Sequence, residues 1–380
     1  MKEVKTQDAI GLILCHDITR IIPGVGGVKD VAFSKGHVVR EEDIPALLAL
    51  GKENLYVWSD EPGMIHENEA AEILCELAAG DHISGTKVKE GKIELIADED
   101  GLLRVDKAKL VALNRADDFM MATRHDYSPV RRGDVLAGMR AIPLAVSRSS
   151  IGMMVDAVWA ERGGGAGAEE EGGAGASEKG ATSDKILNII PYEKMRAGIV
   201  TTGSEVYGHL VEDGFTPKVR KKMAEYGMYE AGQVTVPDDP GKTTAAILKL
   251  ISEKGADIVF VTGGMSVDPD DRTPLAIRDT GAEVVSYGAS ALPGAMFMLA
   301  YFKRASEKTR ANVGAAQRGI PILGLPGCVM HDERTVLDIL LPRLVAGVAV
   351  TKDDIVALCA GGLCLRCETC IFPRCGFGAV

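Results

Sequence analysis

No stretch of this 380-residue chain is long and apolar enough to suggest a membrane span; the best candidate, Ala289 to Phe302, is short and interrupted by Pro293. Met1 to Gly11 carries charges and no apolar h-region, so no export signal is expected and the location expected is cytoplasmic. Positive charge is in short supply as well. Forty-three Lys and Arg oppose 54 Asp and Glu, and the net charge of −11 argues against a nucleic-acid partner. The basic cluster Lys218 to Lys222 reads as one solvated helix face. Histidine ligand motifs are also missing: His16, His37, His66, His82, His125 and His331 occur singly and read as surface or hydrogen-bonded residues. What the chain does have is length for two or three domains and 46% apolar residues, enough for real cores. Glu161 to Ser183, a Gly/Ala/Glu stretch with almost nothing to bury, reads as a linker or insertion. The expected division is a β-rich α+β region over 1–160, a linker over 161–185, an α/β domain over 186–350 and a Cys-rich tail over 351–380.

The most informative stretch is Asp257 to Pro274, DIVFVTGGMSVDPDDRTP. Ile258 to Val261 has the pattern of a strand buried on both faces of a parallel sheet. Gly263 and Gly264 allow a sharp turn and close backbone approach to a ligand. The loop then offers the hydroxyls of Ser266 and Thr273 and the carboxylates of Asp268, Asp270 and Asp271, ahead of a helix expected after Pro274. Acids beside a phosphate make sense with a cation such as Mg²⁺ between them; the plainer alternative is an Asp-rich turn that caps the next helix. Upstream, Arg196 to Val206 predicts a second strand ending in Thr202, Gly203 and Ser204, with Glu205 just beyond. A helix is expected over Lys218 to Tyr226, ended by Gly227, then a strand over Gln233 to Val236 running into Pro237, Asp238, Asp239 and Pro240, and a helix over Thr243 to Glu253. Ile320 to Leu325 predicts another strand, ending in Pro326 and Gly327, before a helix from about His331 to Val345. The β-α-β-α-β order predicts right-handed crossovers in a doubly wound, mostly parallel three-layer sandwich with one crevice at the carboxyl ends of its strands.

With these blocks in order, TGSE at Thr202 to Glu205, VPDDP at Val236 to Pro240, GGMSVDPDDRTP at Gly263 to Pro274 and LPG at Leu325 to Gly327, Gly198 to Val350 resembles the molybdopterin-binding domain shared by molybdopterin adenylyltransferases and molybdotransferases, the two catalytic halves of gephyrin. The resemblance implies glycine loops around a pterin phosphate, acids near Mg²⁺ or molybdate, and a homodimer. Carried over residue by residue, it points to Asp238 and Asp271 as the main acids, with Glu205 positioning molybdate or water. Thr202, Gly203, Ser204, Gly263, Gly264, Ser266, Thr273, Pro326 and Gly327 would surround the cofactor, and Asp239, Asp268 and Asp270 would be helpers or cap residues. Cys328 reads as a small buried thiol, with contact to the pterin dithiolene as the alternative. Met265 reads as packing.

The flanks favour a molybdotransferase. Gly11 to Thr19 with Phe33 to Gly51, and Thr123 to Val146 turning at Arg132-Gly133-Asp134, read as small β-units like those preceding the pterin domain in that family. Helices are expected over Glu67 to Ala79 and Lys107 to Leu113, while Ile151 to Trp159 fits a strand or a helix. Two features depart from the family: the Ser-x-x-Asp-Gly-Tyr-Ala loop, whose Asp reaches the partner's site, does not occur, and in place of a final β-domain stands a tail with Cys359, Cys364, Cys367, Cys370 and Cys375. Its C-x2-C-x2-C spacing suits an iron–sulfur cluster or zinc, with iron–sulfur favoured, and disulfides are the alternative. The expected function is therefore insertion of molybdate into adenylated molybdopterin with Mg²⁺. The alternatives are a non-catalytic cofactor carrier or sensor, and a nucleotide pyrophosphatase resembling the competence-damage-inducible protein family.

Overall fold

Strands whose every side chain must avoid water set the architecture of the second half. Ala197 to Thr202, Ile258–Thr262 and Ile320–Leu325 are buried throughout, so helices have to cover both faces of the sheet they form. The computed structural model describes residues 2–21, 29–57, 63–160, 184–265, 271–303 and 319–379. In it the six strands lie in the order Tyr229–Val236, Arg196–Thr202, Ile258–Thr262, Ile320–Leu325, Met298–Phe302, Glu283–Tyr287. The first four are mutually parallel, and Met298–Phe302 runs antiparallel to both of its neighbours. The alternation of side chains divides the core. Ile199, Phe260 and Leu323 face Val219 and Met223 of the helix Phe215–Glu225 and the apolar residues of Val336–Val345. Val200, Val259 and Val261 face Ile247 and Leu250 of Pro240–Ser252 and Ile277 of Thr273–Asp279. This is the three-layer, mostly parallel α/β sandwich that the motif order predicts.

Two differences from the sequence reading concern this domain. The single helix expected from His331 to Val345 is a short turn, Cys328–His331, followed by Val336–Val345. The break is made at Thr335, which caps the second helix in a reciprocal pair with Asp338. The run Ala289 to Phe302, read only as an apolar stretch, ends in the antiparallel strand.

The first half holds two smaller units. In residues 2–57, Lys2–Lys5 pairs with Asn54–Val57 and Ile18–Ile21 with Lys29–Phe33, around a core that includes Leu14, Ile18, Leu47 and Leu55. The next unit has an antiparallel sheet in the order Ile83–Gly85, Lys92–Ala97, Val135–Ala141, Phe119–Thr123, covered by the helix Glu67–Ala78. Arg148–Ala160 is a helix, which settles the choice left open for Ile151 to Trp159. Residues 161–183, read as a linker, lie outside the described residues. Beyond them Leu187–Pro191 pairs antiparallel with Gly101–Val105, and Ile186, Leu187 and Ile189 join the core of the first half. The boundary expected at 186 therefore cuts through this unit, which takes back the chain as far as Pro191.

Gly101 shows how close that pairing is: a Cβ there would stand 2.5 Å from both Ile189 Cγ2 and the carbonyl oxygen of Ile190. Gly101→Ala is expected to destabilise the protein by about 1–3 kcal/mol through overpacking, measured as a lower denaturant midpoint with an unchanged slope. Among the described residues no helix is long and apolar enough to cross a membrane.

Candidate functional site

Because four strands are parallel and nearly in step, their turns emerge on one edge. Thr202 pairs with Val236, Thr201 with Thr262, and Thr262 with Leu325. The turns that follow, Gly203-Ser204, Pro237-Asp238, Gly263-Gly264 and Pro326-Gly327, therefore stand side by side. Such an edge is where doubly wound sheets bind ligands.

Two joints tie these turns together. In the first, the Thr273 hydroxyl donates to the carbonyl of Gly263 at 2.8 Å and lies 3.3 Å from the buried Thr202 hydroxyl. Gly263 sits at φ 86°, and a Cβ on it would come within 2.2 Å of the Thr202 carbonyl oxygen. The glycine is thus required first by the contact between two loops. In the second joint, the Ser204 amide donates to Asp238 Oδ2 at 2.7 Å and the Asp238 amide donates back to the Ser204 hydroxyl at 3.3 Å. Asp238 is exposed, and its Oδ1 has no partner among the described residues. Its neighbour plays a different part, since Asp239 caps Pro240–Ser252, accepting from the Lys242 amide at 2.8 Å. Of the two roles considered for Asp239, the cap is the one it performs.

The remaining residues fall around this edge. Glu205 is exposed on the short helix Ser204–Tyr207, its carboxylate 3.9 Å from where a Cβ on Gly203 would stand. Asp271 is half-buried, two residues before Thr273 on the same loop. Pro326 is buried, whereas Gly327 is exposed with nothing within 4 Å of a Cβ position, so open space lies beside that turn. Ser266, Asp268 and Asp270 lie outside the described residues. Met265 packs its sulfur against Gly324, as expected of a packing residue. Cys328 is half-buried; burial first, then the charge of Asp332, pushes its thiol up to about 11, so it stays protonated at neutral pH.

One anchoring residue is absent from the sequence reading. Asp213 accepts hydrogen bonds from the hydroxyls of Thr201 and Thr216 and the amides of Phe215 and Thr216. Burial pushes its carboxyl up, but these four donors outweigh it and hold the group below the usual carboxylate range. It fixes the segment after TGSE to the sheet. The signal available was an Asp three residues before a Thr at the start of a helix.

The tail cysteines are far along the chain from these loops. Cys359 and Cys367 are exposed, Cys364, Cys370 and Cys375 half-buried, and all are free thiols. Among the described residues no group of three or more His, Cys, Asp or Glu side chains stands ready to hold a metal ion, at the tail or at the sheet edge.

Every turn on this edge falls inside one stretch of recognisable sequence. Residues 198–346 match the family described as a probable molybdopterin binding domain. Residues 3–59 match a domain of unknown function. The chain is also similar to a CinA-like protein of Mycobacterium avium (strain 104), 33% identical over 91 residues that make up 24% of this chain and 21% of the relative. The CinA-like protein of Mycobacterium tuberculosis (strain ATCC 25618 / H37Rv) is 34% identical over the same length and shares. The chain thus spans about a fifth of the length of the curated relatives it matches. Among solved structures, the tungsten cofactor synthesizing protein MoaB from Pyrococcus furiosus is 17% identical with a TM-score of 0.31, over 40% of this chain and 93% of that one. The protein CinA from Thermoplasma acidophilum is 14% identical, also with a TM-score of 0.31, over 40% and 98%. The stretch that matches this family thus contains both joints, with Thr202 to Glu205, Asp238, Asp271 and Gly327 all on it.

Proposed function

We propose that the carboxyl edge of this sheet binds molybdopterin or its adenylate, and that the protein acts in molybdenum cofactor biosynthesis by promoting insertion of molybdate. The observation that carries the reading is the Asp238–Ser204 joint: it fixes an exposed carboxylate against the TGSE turn, on the stretch that matches a molybdopterin-binding family. In this scheme the turns at Gly203-Ser204, Gly263-Gly264 and Pro326-Gly327 surround the pterin phosphate, and the buried Thr202 and Thr273 hold the first two together from behind. The open space beside Gly327 leaves room for the ligand.

Asp238, with Oδ1 exposed and unpartnered among the described residues, and Asp271 suit a hard divalent cation. In the proposed complex Mg²⁺ would be held by these acids together with the ligand's phosphates. When bound, it neutralises charge on the phosphates. Glu205 orients water or molybdate, and the loops hold the adenylate phosphoanhydride in place while water cleaves it to release AMP. We place this chemistry in a homodimer.

The test is molybdate-dependent AMP release from adenylated molybdopterin by the anaerobically purified protein. Asp238→Ala and Asp271→Ala should each lower the rate on the order of 100-fold, the loss of a few kcal/mol of charge stabilisation. Tight retention of pterin without AMP release would instead identify a carrier. The match to CinA-like proteins favours a second reading, nucleotide pyrophosphate hydrolysis at the same edge. Hydrolysis of ADP-ribose, lost in Asp238→Ala, with no pterin retained would replace the first reading with it.

A further inference from the structure

The C-terminal segment is a closed loop with an incomplete interior. After the helix Lys352–Ala357, the Gly378 amide donates to the carbonyl of Gly361 at 2.9 Å. Gly361, at φ 86°, lies so near the returning chain that a Cβ would stand 2.4 Å from the carbonyl oxygen of Ala379. The loop is seated on the α/β domain through reciprocal bonds, Leu292 amide to Gly362 carbonyl at 2.7 Å and Cys364 amide to Leu292 carbonyl at 2.8 Å. Phe377 is buried in the core, with Phe372 packed against the same cluster.

Four cysteines lie inside this closure. Cys364 is three residues in from Gly361, Cys375 three residues in from Gly378, and both pack against that apolar cluster. The closure therefore seats the outer two cysteines on one apolar cluster, with Cys367 and Cys370 in the segment between them. Arg366 takes a left-handed φ of 51°, tightening the Cys364 to Cys367 turn, and its guanidinium is held by Asp332 at 2.9 Å. Among the described residues, no backbone N–H from Leu365 to Phe372 has a backbone acceptor. The tip has neither helix nor strand to order it, while it offers the free amides that thiolate-bound metal centres use as sulfur hydrogen-bond donors.

We propose that Cys364, Cys367, Cys370 and Cys375 bind one thiophilic metal centre, a tetrahedral zinc ion or a four-iron cluster, that completes the fold of this loop. The unpaired tip is the part that must move to bring the sulfurs into ligand position, since no three of them occupy it as placed. Zinc binding releases four thiol protons and changes no oxidation state; a cluster enters ready-made by thiolate exchange from a carrier, also without net redox change. Cys359 lies before the closure, so it takes no part.

The experiment uses the full chain, purified anaerobically without chelator and, in parallel, stripped and reloaded with zinc or with a preformed four-iron cluster carried on a small thiolate. About one zinc per chain and no visible absorption, or about four irons with equal sulfide and broad visible absorption, identifies the centre. Replacing Cys364, Cys367, Cys370 or Cys375 with Ser should lower occupancy at least about tenfold, whereas Cys359→Ser retains it. Trypsin should cut after Arg366 and Arg374 in stripped protein and spare the loaded form. Full reaction of all the tail thiols with a thiol reagent and no stoichiometric metal after reloading, or equal loss in Cys359→Ser, would overturn the proposal.

Discussion

Asp338→Leu should lower the stability of the protein by about 3–5 kcal/mol, as expected when one partner of a buried ion pair is removed. Asp338 is 1% exposed and accepts from Lys222, from Arg334 at 2.8 Å and from the Thr335 amide at 2.8 Å. Lys222 also reaches the carbonyl of Glu333 at 2.8 Å, and Arg334 reaches Glu225 at 2.8 Å, stacking over the Phe372 ring at 5.2 Å. This network joins Phe215–Glu225, Val336–Val345 and the C-terminal loop. The leucine would leave two cations facing an apolar surface, and Arg334 Nε already lacks a partner. Denaturant unfolding measures the loss. Adding Lys222→Met should restore part of it, because the cost arises from the stranded charge rather than from missing attraction.

The second large effect is expected at Gly263. Gly263→Ala places a methyl 2.2 Å from a backbone oxygen and 2.7 Å from the Thr202 hydroxyl, at a φ that alanine disfavours. Neither neighbour is a flexible side-chain end, so the two turns must separate. We expect a loss of about 3 kcal/mol or more, at the upper end of overpacking, together with loss of bound fluorescent pterin on purification. Gly327→Ala is the control, since nothing lies within 4 Å of its Cβ. Its melting should change by less than about 0.5 kcal/mol, as for most surface sites. If pterin retention nonetheless falls there, the open space beside Gly327 belongs to the ligand; unchanged retention in both variants would remove this edge as the binding site.

The central strands were legible because Ile258 to Val261 and Ile320 to Leu325 are apolar on both faces and end in glycine or proline, a pattern that few other structures produce. The return strand Leu187–Pro191 was not, since its partner Gly101–Val105 lies more than 80 residues upstream and nothing local marks so distant a pairing. The helix break before Val336 was marked by Thr335 and Asp338, a capping box hidden inside an otherwise continuous helical pattern. At the site, the resemblance made Asp238 a main acid but left Asp239 either a helper or a cap residue. Partners separate them: one holds the Ser204 amide, the other the Lys242 amide. Asp213 was missed because its importance comes from four donors brought together by folding.

The return of Leu187–Pro191 to the first half also determines how this polypeptide can be divided. A fragment ending at Ala160 would keep its own strands but lose the one beside Gly101–Val105, along with Ile186, Leu187 and Ile189 from its core. A fragment beginning at Arg196 would keep all six strands of its sheet. The two halves are thus unequal as units of inheritance: the second holds its whole sheet in one continuous run of chain, while the first must carry with it a segment encoded after residue 183.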